Sequence, residues 1–177
     1  MDEIIKSIIQ NINPWKLSWD NIDDTNCYAW ALGIDLSSQE LEEKSNIDVY
    51  NVGAISNNYC SIQTNDELIY ALKEDLKILS INIEEVNMDY ELNKKEWKIA
   101  LFNTKPYYEC GLFMTDFHFL KQIDNFNWSH KNGYFKKISF LDSENNIINN
   151  PVTAKIYVDG NKEIKYDYVA TYKLHLK

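Results

Sequence analysis

The chain has 177 residues, 45% of them hydrophobic, with only 5 glycines and 3 prolines. That is enough apolar material for the core of one domain, and no stretch has the composition of a linker or disordered tail. The 27 acidic and 18 basic side chains leave a net charge of −9, which repels phosphate backbones and anionic lipid surfaces and argues against nucleic acid as a partner.

The opening Met1-Asp2-Glu3-Ile4-Ile5-Lys6 is acidic and amphipathic and lacks the basic and apolar regions of a signal peptide. No apolar run approaches the ~18 residues of a membrane span. The expectation is a cytoplasmic protein, or one exported without a signal, and no membrane partner. Ile4, Ile5, Ile8, Ile9 and Ile12 recur at helical spacing, which predicts a short helix ending before Pro14. Trp15 and Trp19 follow in a polar loop. Asp24-Thr25-Asn26 offers several caps for a second helix that starts at Cys27 and ends at Gly33. Residues Ser37 to Ser45 read as an acidic, solvated segment, and Val49 to Gly53 as a turn or short extended piece. Leu68, Ile69, Leu72 and Leu76 form the apolar face of a helix over Gln63 to Leu79, capped by Thr64 or Asn65.

Beyond that helix the pattern turns to strands: Lys98 to Asn103, Gly111 to Gln122, Asn127 to His130, Ile138 to Leu141, Lys155 to Val158 and Tyr166 to Leu176. Helices first and strands later predict an α+β fold, with a helical half over about 1–80 and a β half over about 97–177 of a single domain. Asp124-Asn125 marks a hairpin turn that brings His130 back beside the strand of His118. Alternation puts His118 on the face opposite Phe117 and Phe119.

A cysteine at a helix start, together with two imidazoles one hairpin apart, is the set needed for a thiol nucleophile, its base and an orienting partner. The helix N-terminus and a nearby imidazole are expected to lower the pKa of Cys27, and its backbone amide to face a developing oxyanion, with Asn26 or Asn21 as a second donor. Asp142 and Asn150 are alternatives to His130 as orienter. Trp15, Trp19, Tyr28, Trp30, Trp128 and Tyr134 are candidate cleft walls. Cys60, Cys110 and His175 read as structural. The three cysteines are widely spaced, which argues against a disulfide framework, and a zinc site from Cys27, His118 and His130 needs a further ligand.

The strings Asn26-Cys27-Tyr28-Ala29, Asp116-Phe117-His118-Phe119 and Trp128-Ser129-His130-Lys131 resemble the papain-like cysteine peptidase superfamily, and within it the NlpC-type cell-wall peptidase branch, including small bacterial proteins. The family's usual Asp-Cys-Ser-Gly helix start reads Asn-Cys-Tyr-Ala here. The resemblance implies one papain-like domain over 1–177, with N-terminal helices packed on a C-terminal antiparallel sheet. It also implies a cofactor-free hydrolase or acyl-transferase acting on an amide, isopeptide or related acyl bond of a peptide or acyl-bearing substrate. Cys27 would be the nucleophile, His118 the base and His130 the orienter. The competing reading is a catalytically inactive binding or immunity-type module on the same fold.

Overall fold

The computed structural model describes residues 2–45, 48–58, 62–109 and 111–177; Cys60 and Cys110 lie outside them. The chain is α+β, and among the described residues four α-helices precede nine strands: α1 Asp2–Gln10, α2 Cys27–Leu32, α3 Ser38–Ser45, α4 Asn65–Ile78, then β1 Ile81–Glu85, β2 Glu96–Thr104, β3 Tyr107–Glu109, β4 Leu112–Met114, β5 Phe117–Gln122, β6 Trp128–Lys131, β7 Ile138–Ser139, β8 Ile156–Val158 and β9 Asn161–Leu176.

The principal sheet runs β1-β9-β2-β5-β6-β7 with β8 on β9, every pair antiparallel. The hairpin β3–β4 stands apart as a second, two-stranded sheet. The expected strand from Gly111 to Gln122 is therefore two, split at Thr115-Asp116. There the Asp116 amide donates to the Thr104 hydroxyl at 2.8 Å, so the chain changes sheet. The acidic segment expected to be solvated forms α3, because Ser38 and Leu41 are buried on one side while its charges face water. β1 was not expected from the pattern; only Ile81 of its five residues is buried.

Alternation along β2 and β5 divides the molecule into two cores. On one face Ile99, Leu101 and Phe119 join Tyr28, Trp30, Leu72 and Leu76 of the helices. On the other, Ala100, Phe102 and Leu120 meet Trp128, Ile148, Ile156 and Tyr166. α2 is buried along its whole length because six consecutive residues, Cys27 to Leu32, face either the sheet or another helical segment. Asn26 caps it, its Oδ1 accepting the amides of Tyr28 and Ala29 at 2.9 and 3.1 Å. Gly33 ends it in the left-handed region at φ 76°. α4 starts with the Thr64–Glu67 capping box. Among the described residues, no helix is long and apolar enough to cross a membrane.

Candidate functional site

Cys27 is the first residue of α2, and α2 packs on β5. Its Sγ lies 4.0 Å from the Phe117 carbonyl, and the Phe119 amide is directed at it. The sulfur therefore rests against the main chain on either side of His118. The amides of Tyr28 and Cys27 itself also point to it, so three backbone donors favour the thiolate.

These donors are outweighed. Cys27 is 6% exposed, and burial, joined by the charge of Asp116, pushes the thiol up to about 12. The expected low pKa is thus corrected: α2 is a short helix whose first free amides, those of Tyr28 and Ala29, already bond to the Asn26 side chain. Desolvation of the anion dominates. Lys131, Tyr134 and Tyr166 stand close enough to interact with a charge on the sulfur. Burial lowers the Lys131 ammonium to about 8, opposed by Asp23, Cys27 and Asp24.

The two histidines meet on the opposite face of the sheet. His118 sits across from Phe102 on β2, and His130 across from Leu120 on β5. Their rings cross at 82°, with Nε2 of His118 2.7 Å from Nδ1 of His130, and Nε2 of His130 lies 2.9 Å from the Leu141 carbonyl. The carbonyl can only accept, so Nε2 of His130 carries the proton. Its Nδ1 then accepts from Nε2–H of His118, leaving Nδ1 of His118 as an unprotonated nitrogen. Burial, reinforced by its neighbour His130, holds His118 well below the usual imidazole range. Burial also lowers His130, offset in part by the Leu141 carbonyl and by Asp142. Both rings are neutral at pH 7.

Tyr166 tilts against the His118 ring at 5.2 Å between centroids, and its hydroxyl donates to Asp116. Asp116, raised mainly by burial, also accepts the Phe117 amide. Tyr166 and Asp116 thus link the sulfur's surroundings to the imidazole. Tyr166, missed in the sequence, lies in a long strand where nothing in the local pattern distinguishes it from its tyrosine neighbours.

The structure thus brings His130 to His118 and sets Cys27 against the backbone of the same strand. No hydrogen bond joins Cys27 to either imidazole among the described residues, since the alternation that sends Phe117 and Phe119 toward α2 sends His118 away. Asn26 Nδ2 donates to the Tyr50 carbonyl at 2.9 Å and Asn21 Nδ2 to the Asp35 carbonyl at 3.2 Å, so neither supplies an oxyanion donor. Asp142 instead accepts the amides of Glu144, Asn146 and Lys155. Asn150 caps the 3-10 turn Pro151–Thr153. His175 pairs with Asn82.

The aromatic side chains are mostly packing. Trp19 and Trp30 meet at 5.0 Å and Lys121 lies 3.5 Å over the Trp30 ring, while Trp128 is buried in the second core. Tyr28 stacks on Phe119 at 5.3 Å, and its hydroxyl donates to Asp75. Trp15 is exposed and flanks a different depression, beside Trp97 and Leu92. Of the six candidate wall residues, Tyr134 is the one whose hydroxyl stands close enough to interact with a charge on the sulfur among the described residues.

A cleft of about 490 Å³ near the thiol is lined by Asp116 and Phe117, with Asn51 and Val52. Cys27 lies behind that wall. Among the described residues, no group of histidine, cysteine and carboxylate side chains is arranged to hold a metal ion. No family model, curated protein or solved structure matches the chain.

Proposed function

We propose that the chain is a thiol-dependent hydrolase or acyl-transferase acting on an amide, isopeptide or related acyl bond, on a papain-like arrangement of the NlpC type. The observation that carries this reading is the ordered relay Leu141 carbonyl–His130–His118, which leaves Nδ1 of His118 as a base on the strand against which the Cys27 sulfur rests. A buried neutral pair of this kind favours concerted proton transfer over a standing thiolate–imidazolium pair.

In the forward step Sγ bonds to the acyl carbon while its proton passes to Nδ1 of His118. The carbon–nitrogen bond then breaks and the imidazolium returns that proton to the leaving amine. Water, deprotonated by the same imidazole, attacks the thioester; the carbon–sulfur bond breaks and the thiol recovers a proton. An amine in place of water gives transfer. Because His118 points to the other face of β5, this sequence requires the start of α2 and β5 to rearrange so that Sγ reaches the imidazole; a turn of the Cys27 side chain alone does not bring them together. His130 positions His118 by fixing its tautomer.

A second reading, an inactive binding or immunity-type module, is favoured by the burial and raised pKa of Cys27. Intact-mass analysis after incubation with p-nitrophenyl acetate and a panel of acyl thioesters separates the two. An enzyme gains one acyl mass on Cys27, lost in Cys27→Ala and slowed by about 10²–10⁴ in His118→Ala, the usual share of a general base. A protein that stays unmodified, or is acylated at the same rate in His118→Ala, is the binding module.

A further inference from the structure

Between the β3–β4 hairpin, the start of α4 and the turn joining β8 to β9 lies the cleft of about 490 Å³. Val52, Leu68 and Phe117 form apolar parts of its wall, and Glu109, Asp116 and Asp159 bring three carboxylates to one end. These three act together on the Tyr107 hydroxyl, which places them around a common point. No lysine lines the cleft, and neither Glu109 nor Asp159 has a salt-bridge partner among the described residues.

The hairpin beside it exposes a cluster of large apolar side chains. Tyr108 is 66% exposed, Leu112 66% and Phe113 79%, with the Tyr108 and Phe113 rings in edge contact at 5.3 Å. Among the described residues neither outer edge of the hairpin has a neighbouring strand, so their main-chain groups are open to pairing. An apolar patch next to an acidic cleft and an open strand edge is complementary to one chemistry.

We propose that this surface binds an extended basic segment of a polypeptide, its lysine or arginine side chains entering the acidic end of the cleft and its apolar side chains covering Tyr108, Leu112 and Phe113. Charge decides against the other occupants: a second copy brings the same acidic cleft and a net charge of −9, and an anionic membrane is repelled by it. Cys27 lies behind the Asp116 and Phe117 wall of this cleft, so where that wall opens to the sulfur the bound segment is also the substrate class of the thiol. That consequence rests on the function proposed above, whereas the binding does not.

The test uses the full chain and two fluorescein-labelled peptides, one alternating lysine with leucine and one alternating glutamate with leucine, followed by anisotropy. The basic peptide should bind and weaken with added salt. The double variant Glu109→Gln/Asp159→Asn and, separately, Phe113→Ser should each reduce its affinity about tenfold or more, a loss of ~1.4 kcal/mol or more. Both changes are at exposed positions, and unchanged thermal melts show that the fold is kept. Cys27→Ala should bind the basic peptide as well as the parent, so a failed acylation assay with intact binding removes only the catalytic reading. Equal binding of both peptides, or undiminished binding by the charge variant, overturns the proposal. So does attachment to phosphatidylcholine vesicles, or Phe113-dependent self-association, with no binding of the basic peptide.

Discussion

At the residue scale, the chemistry turns on how Cys27 is covered. Lys131 donates to the Gly133 carbonyl at 2.6 Å, the Phe135 amide to the Asp23 carbonyl at 2.9 Å, and the Tyr134 hydroxyl to the Asp48 carboxylate at 3.0 Å. These bonds fasten the segment after β6 near the sulfur, and Gly133 at φ 87° makes the bend that begins it. With the thiol pushed up to about 12, its thiolate fraction at pH 7 is far below that of a free cysteine. Iodoacetamide should therefore label Cys27 in the folded protein more slowly than it labels free cysteine, with the rate rising only at strongly alkaline pH. Tyr134→Ala releases the anchor to Asp48 and should speed labelling severalfold without altering the rate in denaturant. Peptide mapping after timed quenching reads both effects, and labelling of the parent protein as fast as free cysteine at pH 7 would contradict the buried, neutral thiol. The meeting of His118 with His130 was legible in the sequence, because only three histidines exist and two fall one hairpin apart; the position of Cys27 relative to them was not, since it depends on which face of β5 packs on α2. Nor was the state of the thiol, since the charged and polar groups around it, Tyr134, Lys131 and Asp116, are remote in the chain.

At the element scale, local signals predicted starts and stops well where a cap or glycine supplied them. Asn26, Gly33 and Thr64 bound α2 and α4 within a residue or two of the expected limits because each satisfies backbone groups that its helix would otherwise leave unpaired. β1, β3 and the break between β4 and β5 were hidden because no alternating buried face marks them: β3 has no buried residue, β4 is exposed throughout, and β1 owes its place to pairing with β9. The same logic ranks two substitutions around α2. A Cβ at Gly33 would stand 2.4 Å from the Pro14 nitrogen, in a backbone conformation that already disfavours side chains. Asn26→Ala removes a cap and its bond to the Tyr50 carbonyl, a loss of about 0.5–2 kcal/mol for the cap alone. Gly33→Ala should cost more, because rigid backbone rather than a flexible side-chain end has to move. Urea denaturation of the two variants against the parent checks the order, and a Gly33→Ala protein more stable than Asn26→Ala would show that Pro14 yields easily.

At the scale of the whole molecule, one antiparallel sheet with a separate core on each face explains both what the sequence pattern could show and what it could not. Helices followed by strands were readable from periodicity, but the division of β5 between Phe117 and Phe119 on one core and His118 and Leu120 beside the other depends on long-range pairing with β2 and β6. This is why the imidazole pair is fully enclosed while still joined through the strand to the thiol. Enclosure makes the fold sensitive to acid. Burial first, and for His118 the adjoining His130 second, holds the folded-state pKa of His118 well below its usual value, and burial lowers His130 as well. The unfolded chain takes up these protons near the ordinary pKa of ~6.5, so below that pH it binds more protons than the native state. The stability they contribute is therefore fully present above ~6.5 and is lost as pH falls toward their folded-state values, with a slope of at most about 1.4 kcal/mol per pH unit for each group. Asp142 near His130 moderates the loss, and the raised carboxyls of Asp75 and Asp116 act in the opposite direction, both being easier to protonate in the native state. Urea denaturation at pH 7.5 and 5.5 should show the parent losing stability, and a His118→Gln variant, which has no proton to gain at this position, losing less over the same interval. Equal losses in the two proteins would mean that His118 is already hydrated or charged in the native state, and would remove the neutral imidazole base on which the proposed chemistry depends.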